Sequence, residues 1–366
     1  MNIELLLERE IMPADNSKIG NYLEGKTILI TGAAGSVGSE LANRLNFFSP
    51  KKVLLLDYAE SALYELEWHI KRYFPALNFE ILLANIVEKS QLIKIFDQHR
   101  PDIIFHTAAY KQVPILEKYP DQAILTNLSG TKNIADLSIE YGVEKMIFIS
   151  TDKAVNPVSV MGASKKLAEN YILSLIQQDY DDEQLSKLSN KKNNFFTQFI
   201  ITRFGNVLGS SGSVLPLFLK QIDADGPLTV THPEMTRYFM SISEAAQFVL
   251  EAGNMGSGGE IYWFNISKPV GILNFAKKLI NLSGKEIKIV FTGLRPGEKI
   301  HEEWMEKEDV KIINHQPYLI ALQENYIGDP QSVDKNVNEL ILFAQTQNTS
   351  AIKASIKDML VEKEVV

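Results

Sequence analysis

Thr31-Gly32-Ala33-Ala34-Gly35-Ser36-Val37-Gly38-Ser39-Glu40 is the stretch whose reading decides the fold. It follows an apolar run, Thr27-Ile28-Leu29-Ile30, with the composition of a strand. It opens an amphipathic segment, Leu41 to Phe47, that reads as a helix. Three glycines at this spacing between strand and helix suit a dinucleotide pyrophosphate. Gly32 permits the tight turn, Gly35 lets backbone approach phosphate, and Gly38 lets the helix pack on the strand. Ser36 and Val37 then fall at the helix N-terminus, whose free N–H groups and positive field suit an anion. A second apolar run, Val53-Leu54-Leu55-Leu56, ends in Asp57, about 20 residues on, where a ribose-binding acid belongs. An ordinary glycine turn is the competing reading, and Asp57 counts against it.

Outward from this motif, apolar strands alternate with amphipathic helices. Strands are expected near 27–31, 52–56, 79–84, 102–106, 145–150 and 197–203, and helices near 37–47, 60–73, 88–98, 121–141 and 162–178. Strands that are apolar throughout and separated by helices predict a parallel sheet covered on both faces, the doubly wound α/β arrangement of Rossmann type. Ligands of such sheets bind outside the carboxyl ends of the strands, so functional residues should follow each strand. The polar run 179–194 reads as an exposed loop. After Phe204 the rhythm becomes richer in glycine and proline, which predicts a smaller lobe closing over the sheet. The expected division is a leader over 1–25, a dinucleotide domain over 26–205 with part of 238–265, a substrate lobe over 206–237 and 266–330, and a helical segment over 331–366.

Composition sets limits on function. Of 366 residues, 45% are apolar and 22% charged, the balance of a globular protein. A net charge of −8 argues against nucleic acid or an anionic membrane surface as the main partner. No apolar run of about 18 residues exists to span a membrane. The acidic start lacks the basic region and apolar core of a signal peptide, so a cytoplasmic location is expected. There are no cysteines, which excludes disulfides, thiolate zinc sites and cysteine nucleophiles. The six histidines are scattered, and no metal site is expected.

After the fourth strand comes His106-Thr107-Ala108-Ala109-Tyr110-Lys111-Gln112. The small Ala108 and Ala109 let a cofactor lie against the backbone, with close helix–strand packing as the alternative. Lys111 and Gln112 are polar groups at an active strand end and point to substrate. After the fifth strand comes Ser150-Thr151-Asp152-Lys153, and then Met161-Gly162-Ala163-Ser164-Lys165 opens a helix. Met161 and Lys165, four apart, share one face.

On these motifs the chain resembles the extended short-chain dehydrogenase/reductase family. More narrowly, TGAAGSVGSEL, HTAAYKQVP, ISTDKAVNPVSVMGASK, TRFGNVLGSSGSVLPLF with THPEMTRYFM, and FTGLRPGEKIHEE are similar to segments of the UDP-N-acetylglucosamine 4,6-dehydratases of bacterial polysaccharide synthesis. The resemblance implies NAD as cofactor, UDP-N-acetylglucosamine or a similar UDP-sugar as substrate, and a homo-oligomer, with a helix of 122–139 or 163–178 pairing between subunits. Some relatives carry a membrane-embedded region before the catalytic part, and this chain resembles the soluble or truncated form. Two departures stand out. Met161 occupies the usual tyrosine position, a variant known in this subgroup, and a thioether has no proton to exchange. Asn85-Ile86 stands where an aspartate usually meets adenine.

The resemblance also implies residue roles. Lys153 is the carbon 5 base, and Asp152 the acid for the carbon 6 hydroxyl and a candidate for the carbon 4 hydroxyl proton. Thr151 meets the carbon 4 oxygen, and Lys165 binds the nicotinamide ribose and contributes a cation. Burial, Lys165 and the nicotinamide charge are all expected to lower the pKa of Lys153. Asn206 meets the diphosphate or sugar, Val214, Leu215 and Pro216 flank the uracil, Arg237 and Arg295 bind phosphate, and Glu298 binds ribose hydroxyls. Asp57, with no arginine among Tyr58, Ala59 and Glu60, predicts NAD over NADP. A UDP-sugar epimerase and a non-catalytic NAD-binding module are the alternatives.

Overall fold

A computed structural model of the chain describes residues 6–7, 9, 11, 16–19, 21–177, 197–264, 268–303, 310–315, 319–324 and 329–361. The expected loop over 179–194 lies outside the described residues. The first half of the chain builds β1 (Thr27–Thr31), α1 (Ser36–Leu45), β2 (Lys52–Asp57), α2 (Glu60–Tyr73), β3 (Phe79–Leu83), α3 (Lys89–His99) and β4 (Ile103–His106). Two short turns, α4 (Val113–Leu116) and α5 (Pro120–Ala123), lead through a wider π-helical stretch, Ile124–Ser129, into α6 (Gly130–Glu140). Then come β5 (Lys145–Thr151), α7 (Val160–Gln177) and β6 (Gln198–Phe204).

These strands pair in parallel in the order β3-β2-β1-β4-β5-β6, the doubly wound sheet that the alternation predicts. The order reverses between β1 and β4, which opens the crevice where such sheets bind ligands. Side chains alternate across the sheet with period 2. Leu29, Leu54, Ile104 and Phe148 pack on one face under α3, α6 and α7. Ile28, Ile30, Val53 and Ile147 pack on the other under α1 and α2. Both faces are dry, which is why the strands read as unbroken apolar runs.

Beyond β6 lie β7 (Asn206–Val207), α8 (Val214–Asp223), β8 (Leu228–Val230), β9 (Thr236–Arg237), β10 (Phe239–Met240) and α9 (Ile242–Met255). β11 (Ile261–Phe264), β12 (Val270–Gly271), α10 (Ile272–Ser283) and β13 (Ile289–Phe291) follow. α8, α10 and the paired strands β8 and β13 form the smaller lobe around Phe218, Phe239 and Phe275. β11 returns to the large sheet beside β6, and α9 packs against α1.

Three expectations need correction. The hairpin β14 (Val310–His315) and β15 (Leu319–Glu324) falls in the stretch read as substrate lobe, yet it extends the large sheet antiparallel beyond β11. Alternating short runs carry no mark of which sheet they will join. The stretch read as a leader is part of the body. Leu6 and Leu7 are buried in the lobe core, and Arg9 bonds Glu244 at 2.6 Å. The helices expected to pair between subunits are covered by the chain itself. α11 (Pro330–Gln345) and α12 (Thr349–Val361) lay Val337, Leu340, Ile352 and Ile356 into the same core as Ile124, Leu128 and Ile172. Lys132 ties this layer together, donating to Tyr171 Oη at 2.6 Å and Asp334 at 2.9 Å.

Among the described residues, no helix is long and apolar enough to cross a membrane.

Candidate active site

A cavity of about 570 Å³ lies at the carboxyl ends of β1, β4, β5 and β6 and under the lobe. Its floor is the glycine turn. Gly32 has φ +68°, and a Cβ there would stand 2.7 Å from the backbone of Ala108. A Cβ on Gly38 would stand 2.3 Å from the Gly32 carbonyl oxygen, so α1 can meet the turn only without a side chain. Gly35 precedes the first residue of α1, leaving the helix N-terminus open to the cavity beside Ser36 and Val37. The Asp57 carboxylate accepts from Ala34 N and Ala59 N, both at 3.1 Å, and so ties the end of β2 to the turn. Asn85 and Ile86 do not line the cavity. Asn85 Oδ1 accepts from Val87 N, and Ile86 is buried against Gly130.

The end of β5 carries the polar cluster. Asp152 is fully buried and reaches the cavity only through its neighbours. Its Oδ1 accepts from Thr151 Oγ1 and from Lys153 Nζ, both at 2.9 Å. Lys153 Nζ also donates to Asn206 Oδ1 at 3.1 Å. Thr151, Lys153 and Asn206 line the cavity. So does Met161, buried on the first turn of α7, one turn before Lys165. That turn starts where it does because Ser159 Oγ accepts from Gly162 N and Glu117 Oε1 from Val160 N. Gly162 has no room for a side chain, since a Cβ would fall 2.2 Å from the Lys153 carbonyl oxygen.

The charge balance of the two lysines is the reverse of the expectation. Burial pushes the Lys153 pKa down, but the Asp152 and Glu302 carboxylates outweigh it, and the net shift is upward. Lys165 is buried with Nζ 3.9 Å from the Phe148 ring centroid. Burial lowers its pKa to about 7, against the pull of Glu169. A lysine between two carboxylates keeps its proton, whereas one buried away from water loses it more readily.

The lobe supplies the roof. Lys111 Nζ donates to Ser210 Oγ at 3.2 Å, Gln112 to the Gly212 carbonyl at 3.3 Å, and Ser211 N to Ser36 Oγ at 3.2 Å. The loop 210–213 therefore closes onto both the glycine turn and the stretch after β4. Val214 lines the cavity, but Leu215 is buried in the lobe core, and neither it nor Pro216 lines the wall; Leu217 does. The helical period explains this correction, since positions three apart share a face and adjacent ones do not. Arg295 and Glu298 line the cavity as a pair, with Arg295 Nε on Glu298 Oε1 at 2.9 Å. Arg237 lines it too, but its guanidinium donates to the carbonyls of Thr236, Lys299 and Ile300.

A family model described as "Polysaccharide biosynthesis protein" matches residues 28–323. The chain belongs to this family. It is 44% identical to the capsular polysaccharide biosynthesis protein CapD of Staphylococcus aureus over 314 residues, 85% of this chain and 50% of that one. It thus spans half the length of that relative. It is 35% identical to a UDP-glucose 4-epimerase of Rickettsia canadensis over 288 residues, 78% of this chain and 79% of that one. Among solved structures it resembles Pen from Bacillus thuringiensis, with a TM-score of 0.73 and 29% identity, over 83% of this chain and 89% of that one.

Two residues of this family member escaped the sequence reading. Asn127, in the π-helical stretch, accepts from Tyr110 N at 2.8 Å and donates to the Tyr110 carbonyl and to Ser164 Oγ. It joins the loop after β4 to α7, and a π-bulge is a frequent companion of functional sites. Glu302 lies 3.5 Å from Lys153 Nζ and 3.6 Å from Arg237 Nε. Its run, RPGEKIHEE, was legible as a motif, but nothing local distinguishes Glu302 from Glu303. Among the described residues no group of three metal-ligating side chains comes together.

Proposed function

We propose that this chain removes water from a UDP-N-acetylhexosamine, UDP-N-acetylglucosamine first among them, to give a 4-keto-6-deoxy sugar nucleotide with NAD recycled in each turnover. The observation that carries this reading is the 2.9 Å bond between Lys153 and Asp152, in the same cavity as the glycine cradle. An elimination needs a base and an acid held side by side, whereas epimerisation at carbon 4 needs no acid at carbon 6.

The cradle fits the cofactor. The missing Cβ atoms of Gly32 and Gly38 let the turn close tightly, and Gly32, Gly35, Ser36 and Val37 line the cavity where they would hold a pyrophosphate, with Asp57 beside the turn for the adenosine ribose and Lys165 for the nicotinamide ribose. Bound there, NAD supplies the oxidant for carbon 4 and the reductant for carbon 6. The side chains handle the protons. Thr151 Oγ1 meets the carbon 4 hydroxyl and passes its proton to Asp152, to which it is already bonded. Met161 has no exchangeable proton, so this route replaces the usual tyrosine. Lys153, once the proton that Asp152 and Glu302 hold on it has left to solvent, takes the carbon 5 proton, while protonated Asp152 gives its own through Thr151 Oγ1 to the departing carbon 6 hydroxyl. Lys153 then returns its proton to carbon 5. The sugar loses one water, and both side chains end as they began.

The roof residues Lys111, Arg295 and Glu298 would hold the UDP. Arg295 is more than half exposed and already paired with Glu298, so its worth lies in binding rather than stability. Arg295→Ala should raise the Michaelis constant for the UDP-sugar about 10- to 150-fold, the loss of one charged hydrogen bond. An unchanged constant in steady-state kinetics would remove Arg295 from the site.

The 35% identity to a UDP-glucose 4-epimerase keeps epimerisation as a second reading. Mass spectrometry of UDP-N-acetylglucosamine after incubation separates the two. Loss of one water is the expected result. Unchanged mass with a new chromatographic position means epimerase, and unaltered substrate with NAD present means neither.

A further inference from the structure

Glu302 enters the cavity from a segment remote in sequence, and the structure holds that segment firmly. Thr236 N donates to the Ile300 carbonyl at 3.1 Å, and Arg237 donates to the carbonyls of Lys299 and Ile300. Lys299 Nζ donates to the Val155 carbonyl at 2.9 Å, and Asn156 Nδ2 to Glu303 at 2.5 Å. The strap 299–303 is thus fastened to β9 on one side and to the turn after β5 on the other. This sets the Glu302 carboxylate against Lys153, with its side chain 3% exposed. Its Oε1 lies between Lys153 and Arg237, while its Oε2 is buried with no hydrogen-bond partner among the described residues.

A buried carboxylate with one oxygen unpartnered is costly to keep, and no brace requires it, because the strap is held by other groups. The groups facing Lys153 are Asp152 on its own turn, Asn206 from β7, Glu302 from the strap and Arg237 from β9. In the reaction proposed above Asp152 is neutral from the time it receives the carbon 4 proton until it gives that proton to the departing carbon 6 hydroxyl. Glu302 is then the carboxylate that remains beside Lys153.

We propose that Glu302 is a positioning residue: it aims Lys153 Nζ and supplies the standing negative charge against which Lys153 becomes an ammonium as it takes the carbon 5 proton. This inference rests on the reading of Lys153 as the base. Arg237 is the second member of the device, its Nε 3.6 Å from Glu302 Oε1 and its two terminal nitrogens on the strap carbonyls of Ile300 and Lys299.

The test is competitive acylation of lysines with acetic anhydride at fixed pH, read by mass spectrometry of peptides, on wild type, Glu302→Gln and Glu302→Asp. Only a neutral amine reacts, and removing a neighbouring negative charge raises the neutral fraction. In Glu302→Gln, which keeps the shape, Lys153 should label roughly threefold to tenfold faster, half to one pKa unit. In Glu302→Asp it should label within about twofold of wild type, on the same scale. Lys111 and Lys165, in the same cavity, should label as in wild type; a general rise would mean a loosened site and overturn the proposal. Equal labelling of Lys153 in wild type and Glu302→Gln would also overturn it. Turnover completes the test. Glu302→Gln should lose about tenfold or more in kcat with the Michaelis constant little changed, and Glu302→Asp should recover part of it. If Lys153→Ala still dehydrates, the base reading fails whatever the labelling shows. If Lys153→Ala is inactive and Glu302→Gln labels and turns over as wild type, only the role of Glu302 fails.

Discussion

Lys153→Ala should abolish loss of water from the sugar nucleotide while leaving oxidation at carbon 4 intact. General acid–base groups contribute about 100- to 10,000-fold, and turnover should fall by that much. In deuterated water no deuterium should enter carbon 5, because no remaining side chain is placed to remove that proton. Reduced nicotinamide should build up on the protein and be visible by its near-ultraviolet absorbance. Asp152→Asn should fall as far in turnover by a different route. It retains Lys153 as a base but lacks the group that receives the carbon 4 proton and protonates the carbon 6 hydroxyl, so neither bound reduced nicotinamide nor exchange at carbon 5 should appear. Asp152 is also the main carboxylate holding the lysine's proton, and its removal makes Lys153 a more available base. The two variants therefore separate by the near-ultraviolet absorbance of the protein and by mass spectrometry of the sugar. Dehydration by Lys153→Ala within a few-fold of wild type would sink the mechanism.

Glu169→Ala should be the most damaging of the core substitutions for stability. Glu169 on α7 and Arg203 on β6 are both fully buried, and the carboxylate takes Nε at 2.8 Å and a second guanidinium nitrogen at 2.5 Å. Taking one partner from a buried pair costs about 3–5 kcal/mol, because the desolvated charge left behind has lost its compensation. Domains are stable by only about 5–15 kcal/mol, so the midpoint of urea unfolding should move markedly. Glu169→Leu combined with Arg203→Met should recover most of the loss, since a well-packed apolar pair replaces buried ions with little cost. A loss below about 1 kcal/mol in the single variant would show that the pair is well solvated after all. Glu169 also opposes the burial of Lys165, one turn earlier on the same helix. Its removal should therefore lower the Lys165 pKa further.

What the sequence determined by itself is local in origin. The alternation of apolar runs with amphipathic segments requires a parallel sheet with two covered faces, because period 2 and period 3.6 are written residue by residue. Gly32, Gly35 and Gly38 could be read because the turn's geometry depends on three neighbouring positions. Thr151, Asp152 and Lys153 could be read because they end one strand, and the carboxyl end of a parallel strand is where function sits. Tertiary structure decided everything that depends on which distant segments meet. It placed the hairpin 310–324 in the large sheet, since strand pairing is a long-range choice that short alternating runs leave open. It turned Leu215 into the lobe core and Leu217 toward the cavity, since only packing tells which face of α8 is inside. It laid α11 and α12 over helices expected to meet a second subunit. It also reversed the electrostatics of the two lysines, because a pKa answers to charges in space. Glu302 arrives beside Lys153 on a strap fastened to β9, and the packing around α7 buries Lys165 away from water.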